Sequence, residues 1–277
     1  MTDTYYDLPV VKAPPWGWYI PAYFYTGGVS GAAATLGGAL DLLGRSPVLA
    51  RRLHWIAAIG EATSSVLLIV DLGRPERFVN MFRVFRPTSP MNMGTWILSA
   101  ATASGGLALL ARTRVTAAAS GLVGTMLSTY TGVLVGNTAI PVWKAARNQL
   151  PVWFAAASAA GLGSLLELGS PSPLVRVYAG IAKVAELVTA DRVERAADDA
   201  GVGKPLREGR AGAMWRGAKW LRAASLVATL WPSRGRTRGV VAGVLGTASA
   251  VLARFALVEA GKASAADPRA TFEPQRA

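Results

Sequence analysis

Stretches of mostly apolar residues recur along this chain at roughly 17–43, 48–71, 92–111, 115–137, 150–169, 173–190, 213–232 and 239–261. About 20 such residues in a helix cross the hydrocarbon core of a bilayer. Lipid offers no partner for backbone N–H and C=O groups, so a spanning segment must satisfy them internally, as a helix does. The pattern predicts an all-α integral membrane protein with eight transmembrane helices in two four-helix bundles. The expected divisions are an N-terminal extramembrane segment 1–15, a first bundle 16–137 carrying a loop at 72–91, and a connecting loop 138–149. A second bundle follows at 150–261 with a polar loop 191–212, and then a C-terminal tail 262–277.

Composition agrees. Hydrophobic residues make up 52% and charged residues 16%, well below the charged fraction of about a quarter in soluble domains. Trp16, Trp18, Trp55, Trp143, Trp153 and Trp231 sit near the ends of apolar runs, where an interfacial aromatic belt lies. The net charge of +13 is spread between those runs and forms no patch interleaved with aromatics. Connectors and lipid headgroups account for it better than nucleic acid. With no cysteine and one histidine, the chain by itself excludes thiolate-bound zinc, cysteine-ligated iron–sulfur clusters and a bis-histidine haem. The opening residues lack the basic-then-apolar pattern of a cleaved signal, so insertion is expected to use the first helix. Short connectors rich in arginine (Arg45, Arg51, Arg52; Arg112, Arg114; Arg234, Arg236, Arg238) point to the cytoplasm. That places both termini and the 72–91 loop on the extracytoplasmic side.

The second apolar run carries a line of polar residues: His54, Glu61, Ser64, Ser65 and Asp71. At 100° per residue His54 and Glu61 share a face, and Ser64 and Ser65 continue it. The line covers about 25 Å of helix. A carboxyl at the bilayer midplane costs on the order of 3 kcal/mol. Two readings of Glu61 stand: a proton relay, or a structural hydrogen bond to a neighbouring helix. His54 likewise reads as part of a proton path or as an interfacial cap.

Other charges inside the runs read first as structural pairs. Lys183 and Glu186 are spaced to neutralise each other, Glu167 and Arg176 to meet across a tight turn, and Arg254 lies near Glu259. Arg216, Lys219 and Arg222 open the seventh run and are placed either to snorkel or to begin it as an interfacial helix.

Between the second and third runs lies DLGRPERFVNMFRVFRPTSPMNMGTW, residues 71–96, with Arg74, Arg77, Arg83 and Arg86, Glu76 and three prolines. Connectors between helices are ordinarily short, so a long cationic one is expected to hold or touch something. Tyr130 lies at the same end of its run as Asp71 and the Trp16–Tyr25 cluster, and a phenolic hydroxyl there serves either as an oxygen ligand or as an interfacial anchor.

The 71–96 stretch, STYTGVLVGNTAIPVWKAARNQLP (128–151), LARFALVEAGKASAADP (252–268) and WGWYIPAYFYTGGVSG (16–31) resemble the NrfD/polysulfide-reductase membrane-subunit family. The resemblance implies a cofactor-free, eight-helix subunit of a respiratory oxidoreductase in the bacterial cytoplasmic membrane. It implies docking to a ferredoxin-like four-cluster iron–sulfur subunit, itself bound to a molybdopterin catalytic subunit of the formate dehydrogenase or polysulfide reductase kind. The work implied is exchange of electrons and protons with menaquinone or ubiquinone in the first bundle. Carried over residue by residue, it assigns Tyr19, Tyr23, Arg74, Arg77 and Tyr130 to the quinone and Glu61 and Asp71 to proton transfer. Some relatives carry histidine near the position of Tyr23. Arg83 and Arg86 are expected to face the partner, and Asp71 to pair with Arg74. Glu61, flanked by Ala, Ile and Leu, is the better proton donor or acceptor. A proton or ion transporter and a passive anchor are the competing classes. The first lacks a matched pair of broken helices, and the second leaves eight helices unexplained.

Overall fold

Pro and a small hydroxyl residue mark where several helices begin, and the computed structural model follows those marks. It describes residues 9–272 except 75, 112, 170–171 and 233–234, with the side chains of Arg77, Thr271 and Phe272 also outside the described set. The described residues form helices and no strands. In chain order these are α1 (Tyr19–Leu42), α2 (Pro47–Asp71), α3 (Glu76–Asn80), a 3-10 turn (Met81–Arg83), α4 (Pro90–Leu110), α5 (Arg114–Gly136) and α6 (Pro141–Ala145). There follow α7 (Leu150–Gly169), α8 (Pro173–Asp199), α9 (Lys204–Arg207), α10 (Gly209–Leu230), α11 (Arg236–Ala266) and α12 (Pro268–Phe272). Pro47, Pro90, Pro141 and Pro173 occupy first-turn positions, where a missing N–H costs nothing. Ser89 and Ser172 cap α4 and α8, and Thr113 with Thr116 forms a capping box at α5.

Each expected apolar run is matched by a helix of 20 to 31 residues. Five of them, α2, α4, α5, α7 and α11, are long and apolar enough to cross a membrane. They fit a multi-pass membrane protein. In α8 and α10, Arg176, Lys183, Glu186, Arg216, Lys219 and Arg222 interrupt the apolar character.

Three connectors are more ordered than the sequence predicts. The 191–212 stretch is largely helix, because α8 runs on to Asp199 and α9 precedes α10. Arg195 pairs with Asp191 one turn away, and Glu194 reaches Lys219 at 2.8 Å, so the charges in this stretch support helix instead of ending it. The 138–149 connector holds α6, whose Trp143 is fully buried and donates through Nε1 to the Leu257 carbonyl at 3.0 Å. The 72–91 loop holds α3 and the 3-10 turn. At the C-terminal end α11 continues five residues past its expected stop at 261. Residues 1–8 and 273–277 of the expected terminal segments lie outside the described residues.

Packing runs through small residues. α1 packs against α2 and α5, and α4 against α5 and α2; α7 packs against α8 and α11, and α10 against α11 and α8. The two sets meet where α1 and α5 touch α7 and where α1 touches α11. A Cβ on Gly31 of α1 would stand 2.6 Å from the Gly124 carbonyl of α5. Only glycine allows this backbone approach, the small-residue contact that brings membrane helices close.

Candidate functional site

Alternation of buried and exposed positions along α2 turns its polar residues inward. Ala50, Leu53, His54, Ala57, Glu61 and Ser64 are buried, three or four residues apart. The polar line of α2 therefore faces α1 and α4. His54 Nε2 lies 2.8 Å from Asp41 Oδ2 of α1, a partner the sequence reading did not identify. Two turns along, Glu61 is completely buried, and among the described residues neither carboxyl oxygen has a hydrogen-bond partner. Its Oε2 occupies the space that a side chain on Gly105 of α4 would take. One turn further, Ser64 Oγ donates to the Gly60 carbonyl at 2.7 Å and sits 2.8 Å from Thr26 Oγ1 of α1. Ser65 Oγ turns back to the Glu61 carbonyl at 3.0 Å.

The same end of α2 borders a cavity of ≈ 60 Å³, with Leu68 and Leu72 on one wall. Tyr23 of α1, Thr95 of α4 and Tyr130 of α5 supply its hydroxyls, and Phe78, Met81, Met91 and Leu134 complete an apolar lining. The Tyr130 hydroxyl donates to the Pro90 carbonyl, and its ring lies against Gly94, where a Cβ would collide with it. Tyr23 is 2% exposed, so its ring belongs to the interior and not to an interfacial belt.

The 72–91 segment covers the cavity because Asn92 ties it down. Asn92 Oδ1 accepts from the Arg86 backbone N–H at 2.7 Å, and Nδ2 donates to the carbonyls of Met81 and Val84 at 2.8 and 2.9 Å. Phe82 and Phe85 meet Trp96 edge-on, with centroids 5.2 and 5.9 Å apart, and Phe78 meets Phe82. The segment thus turns its aromatic side to α4 and the cavity. Arg74, Arg83 and Arg86 are exposed.

The structure brings Tyr23 and Tyr130 to one cavity. Glu61 stands two turns, about 10 Å, along α2 from Leu68 in its wall. Tyr19, half-buried beside Trp18, and exposed Arg74 are not among the lining residues. Asp71 is half-buried at the end of α2 and, among the described residues, forms no ion pair with Arg74. The pairing expected from sequence is therefore absent, since α2 ends at Asp71 and the chain turns away through Gly73 at a φ of 67°. The Arg77 side chain lies outside the described residues. Asn92, Thr26, Thr95 and Asp41 were missed. Asn92 follows a Ser-Pro helix start and carries a signal in retrospect, whereas the others are small polar residues with none.

The second set of helices contains its own buried charges, paired differently from the sequence expectation. Lys183 donates to Glu167 Oε2 and, at 2.7 Å, to Thr229 Oγ1, so it does not pair with Glu186. Glu186 instead pairs with Arg222. Arg222 is 1% exposed and does not snorkel. Arg176 donates to the carbonyls of Leu230 and Trp231 in place of Glu167. Arg254 lies 4.2 Å from the centroid of the Phe154 ring and 4.7 Å from that of Trp153, while Glu259 pairs with Lys262. Partners on neighbouring helices win because a buried charge must be met where it lies, and spacing along one helix does not show what faces it.

The sequence model of the polysulfide reductase family NrfD_2 matches residues 1–196. The chain belongs to this NrfD family. The match contains α1 to α7, most of α8, the Tyr23–Tyr130 cavity and Glu61. It stops short of 252–268, one of the stretches that carry the sequence resemblance. Membership fits a membrane subunit of an oxidoreductase complex. A search of curated proteins finds no match.

Proposed function

We propose that this NrfD-family chain is the quinone-reactive membrane subunit of a respiratory oxidoreductase in a bacterial cytoplasmic membrane, with eight spans in two four-helix bundles. The observation that carries the reading is the Tyr23–Tyr130 cavity, walled by apolar side chains and covered by a cationic segment. An apolar slot with a few convergent hydroxyls suits a quinone ring. At ≈ 60 Å³ the cavity is well below the roughly 300 Å³ of an ordinary ligand pocket. Admission of a ring therefore requires lining side chains to move, and Phe78 and Met81 belong to the segment that covers the cavity.

Menaquinone or ubiquinone, when bound, supplies the two-electron, two-proton chemistry that this chain lacks. Tyr23 offers a hydroxyl to an oxygen in the cavity; Tyr130 is already committed as a donor to Pro90 and Thr95 to the Met91 carbonyl, and both have acceptor capacity left. Glu61 holds a proton inside the bundle. Ser64, one turn along α2 from Glu61, and Thr26 beside it are the hydroxyls through which waters would complete a proton path to the Tyr23 end of the cavity. Asp71 and Arg74 mark the water-facing end of α2. Electrons come from a docked iron–sulfur subunit, whose larger partner carries the molybdopterin. Exposed Arg83 and Arg86 are the docking charges.

The test is Glu61→Gln in the purified complex. Quinone-coupled turnover is expected to fall about a hundredfold, the ordinary worth of a positioned acid–base group, while turnover with an artificial acceptor holds. Unchanged quinone-coupled turnover, or a complex that carries no quinone, overturns the reading; equal loss of both activities points to failed assembly.

A further inference from the structure

Away from the Tyr23–Tyr130 cavity, a second hollow lies between α8 and α10. It encloses ≈ 450 Å³ and is lined by Val177, Gly180, Ile181, Val184, Leu226 and Leu230, with Arg176 at one end. Val177, Ile181 and Val184 are 48–68% exposed, so the hollow opens on the outer face of the helices. In the eight-span reading, on which this inference rests, that face meets lipid.

Its charged end is unusual. Arg176 Nη2 donates to the Leu230 and Trp231 carbonyls at 2.7 and 3.0 Å. Arg238 Nη1 donates to the Thr229 and Trp231 carbonyls at 3.2 and 3.4 Å. Two guanidinium groups thus converge on one carbonyl oxygen. Among the described residues neither forms an ion pair with a carboxylate, and Arg238 Nε is buried without a partner. Part of their role is to cap the C-terminus of α10. A guanidinium has five N–H donors, so capping leaves donors and two positive charges unmatched.

The charged end selects the occupant. From Val177 to Val184 the hollow runs about 10 Å along α8. This open apolar length suits an acyl chain lying along α8. We infer that the groove binds one acyl chain of an anionic phospholipid, with the lipid phosphate at Arg176 and Arg238. Paired arginines match a phosphate by forked hydrogen bonds, and basic pockets between helices near the membrane surface hold anionic headgroups.

The full chain, in nanodiscs of equal phosphatidylglycerol and phosphatidylcholine, tests this by native mass spectrometry of the lipid it retains. The expected result is retention of phosphatidylglycerol with a preference on the order of tenfold or more. Arg176→Gln with Arg238→Gln is expected to abolish the preference. Gly180→Leu is expected to expel lipid of either kind, because a Cβ there meets only Leu230 at 3.8 Å and the added side chain fills open groove without disturbing backbone. Equal retention of both lipids, or retention unchanged in Gly180→Leu, overturns the inference. The chain has no cysteine, so Ile181→Cys reports the environment of the groove alone. Labelling of that cysteine by a membrane-impermeant maleimide in sealed or opened vesicles would show that the face meets water, and the eight-span reading fails with the inference. Protection from label without retained lipid fails the inference alone. A disulfide between copies through that cysteine replaces the lipid with a second chain.

Discussion

The Glu61 carboxyl of α2 rests on the bare Cα of Gly105 of α4, and a Cβ at Gly105 would overlap Glu61 Oε2. The position of the buried acid is therefore set by a missing side chain on the next helix. Gly105→Ala is expected to displace the carboxyl and slow quinone-coupled turnover by about tenfold to a hundredfold, the scale of a misplaced catalytic group. The neighbouring Gly106 has open space where its Cβ would be. Gly106→Ala is thus the control and should leave turnover unchanged, with helix stability raised by up to about 1 kcal/mol. Steady-state rates with a quinone analogue and with a dye, measured side by side, decide between the two.

Asn92 joins α4 to the segment above the cavity through three hydrogen bonds to backbone groups of Arg86, Met81 and Val84. Asn92→Ala should release that segment. Arg83 is exposed and precedes Val84, so limited trypsin digestion reports the release as cleavage after Arg83 several-fold faster than in the unsubstituted chain. Asn92→Asp keeps the acceptor and loses both donors, and should fall between. Unchanged digestion of Asn92→Ala would show that the aromatic contacts of Phe82 and Phe85 with Trp96 suffice.

His54 and Asp41 bind α2 to α1 across a 2.8 Å contact in which His54 is fully buried. Loss of Asp41 strands the buried His54 ring, at a cost of about 1–3 kcal/mol. A double-mutant cycle of His54→Leu and Asp41→Ala, followed by thermal unfolding in detergent, should give a coupling of about 1 kcal/mol or more. Additive effects would mean that the two side chains do not act as a pair.

Glu186 and Arg222 form an ion pair in which both side chains are at most 5% exposed. Glu186→Ala leaves a guanidinium in the interior and should destabilise by about 3–5 kcal/mol, whereas Glu186→Leu with Arg222→Met should recover much of that loss. Unfolding midpoints of the three variants test the order. If the double variant folds well but loses quinone-coupled turnover, the pair has a role beyond packing.

Much of this architecture is legible in the chain itself. Apolar runs of bilayer length, broken by Pro, Gly and charged residues, mark the long helices to within a few residues for most ends. The inward-facing polar line of α2 follows from helical periodicity alone, because residues three or four apart share a face whatever surrounds them. The order within 191–212 was harder to read, since polar residues favour an exposed helix as readily as a loop, and the pairing of Glu194 with Lys219 depends on where α10 lies.

What the sequence by itself determined is therefore the set of long helices, the face on which Glu61 lies, and the family to which the chain belongs. Only the tertiary structure decided which groups meet: Tyr23 with Tyr130 at one cavity, Asp41 with His54, Glu186 with Arg222, and Gly105 beneath Glu61. The physical reason is range. Helix formation and amphipathic faces are settled by residues within one or two turns. A buried polar group is matched by whatever atom the neighbouring helix presents at that depth, and only the packing of glycine-lined helices, near enough for backbone to touch backbone, determines that.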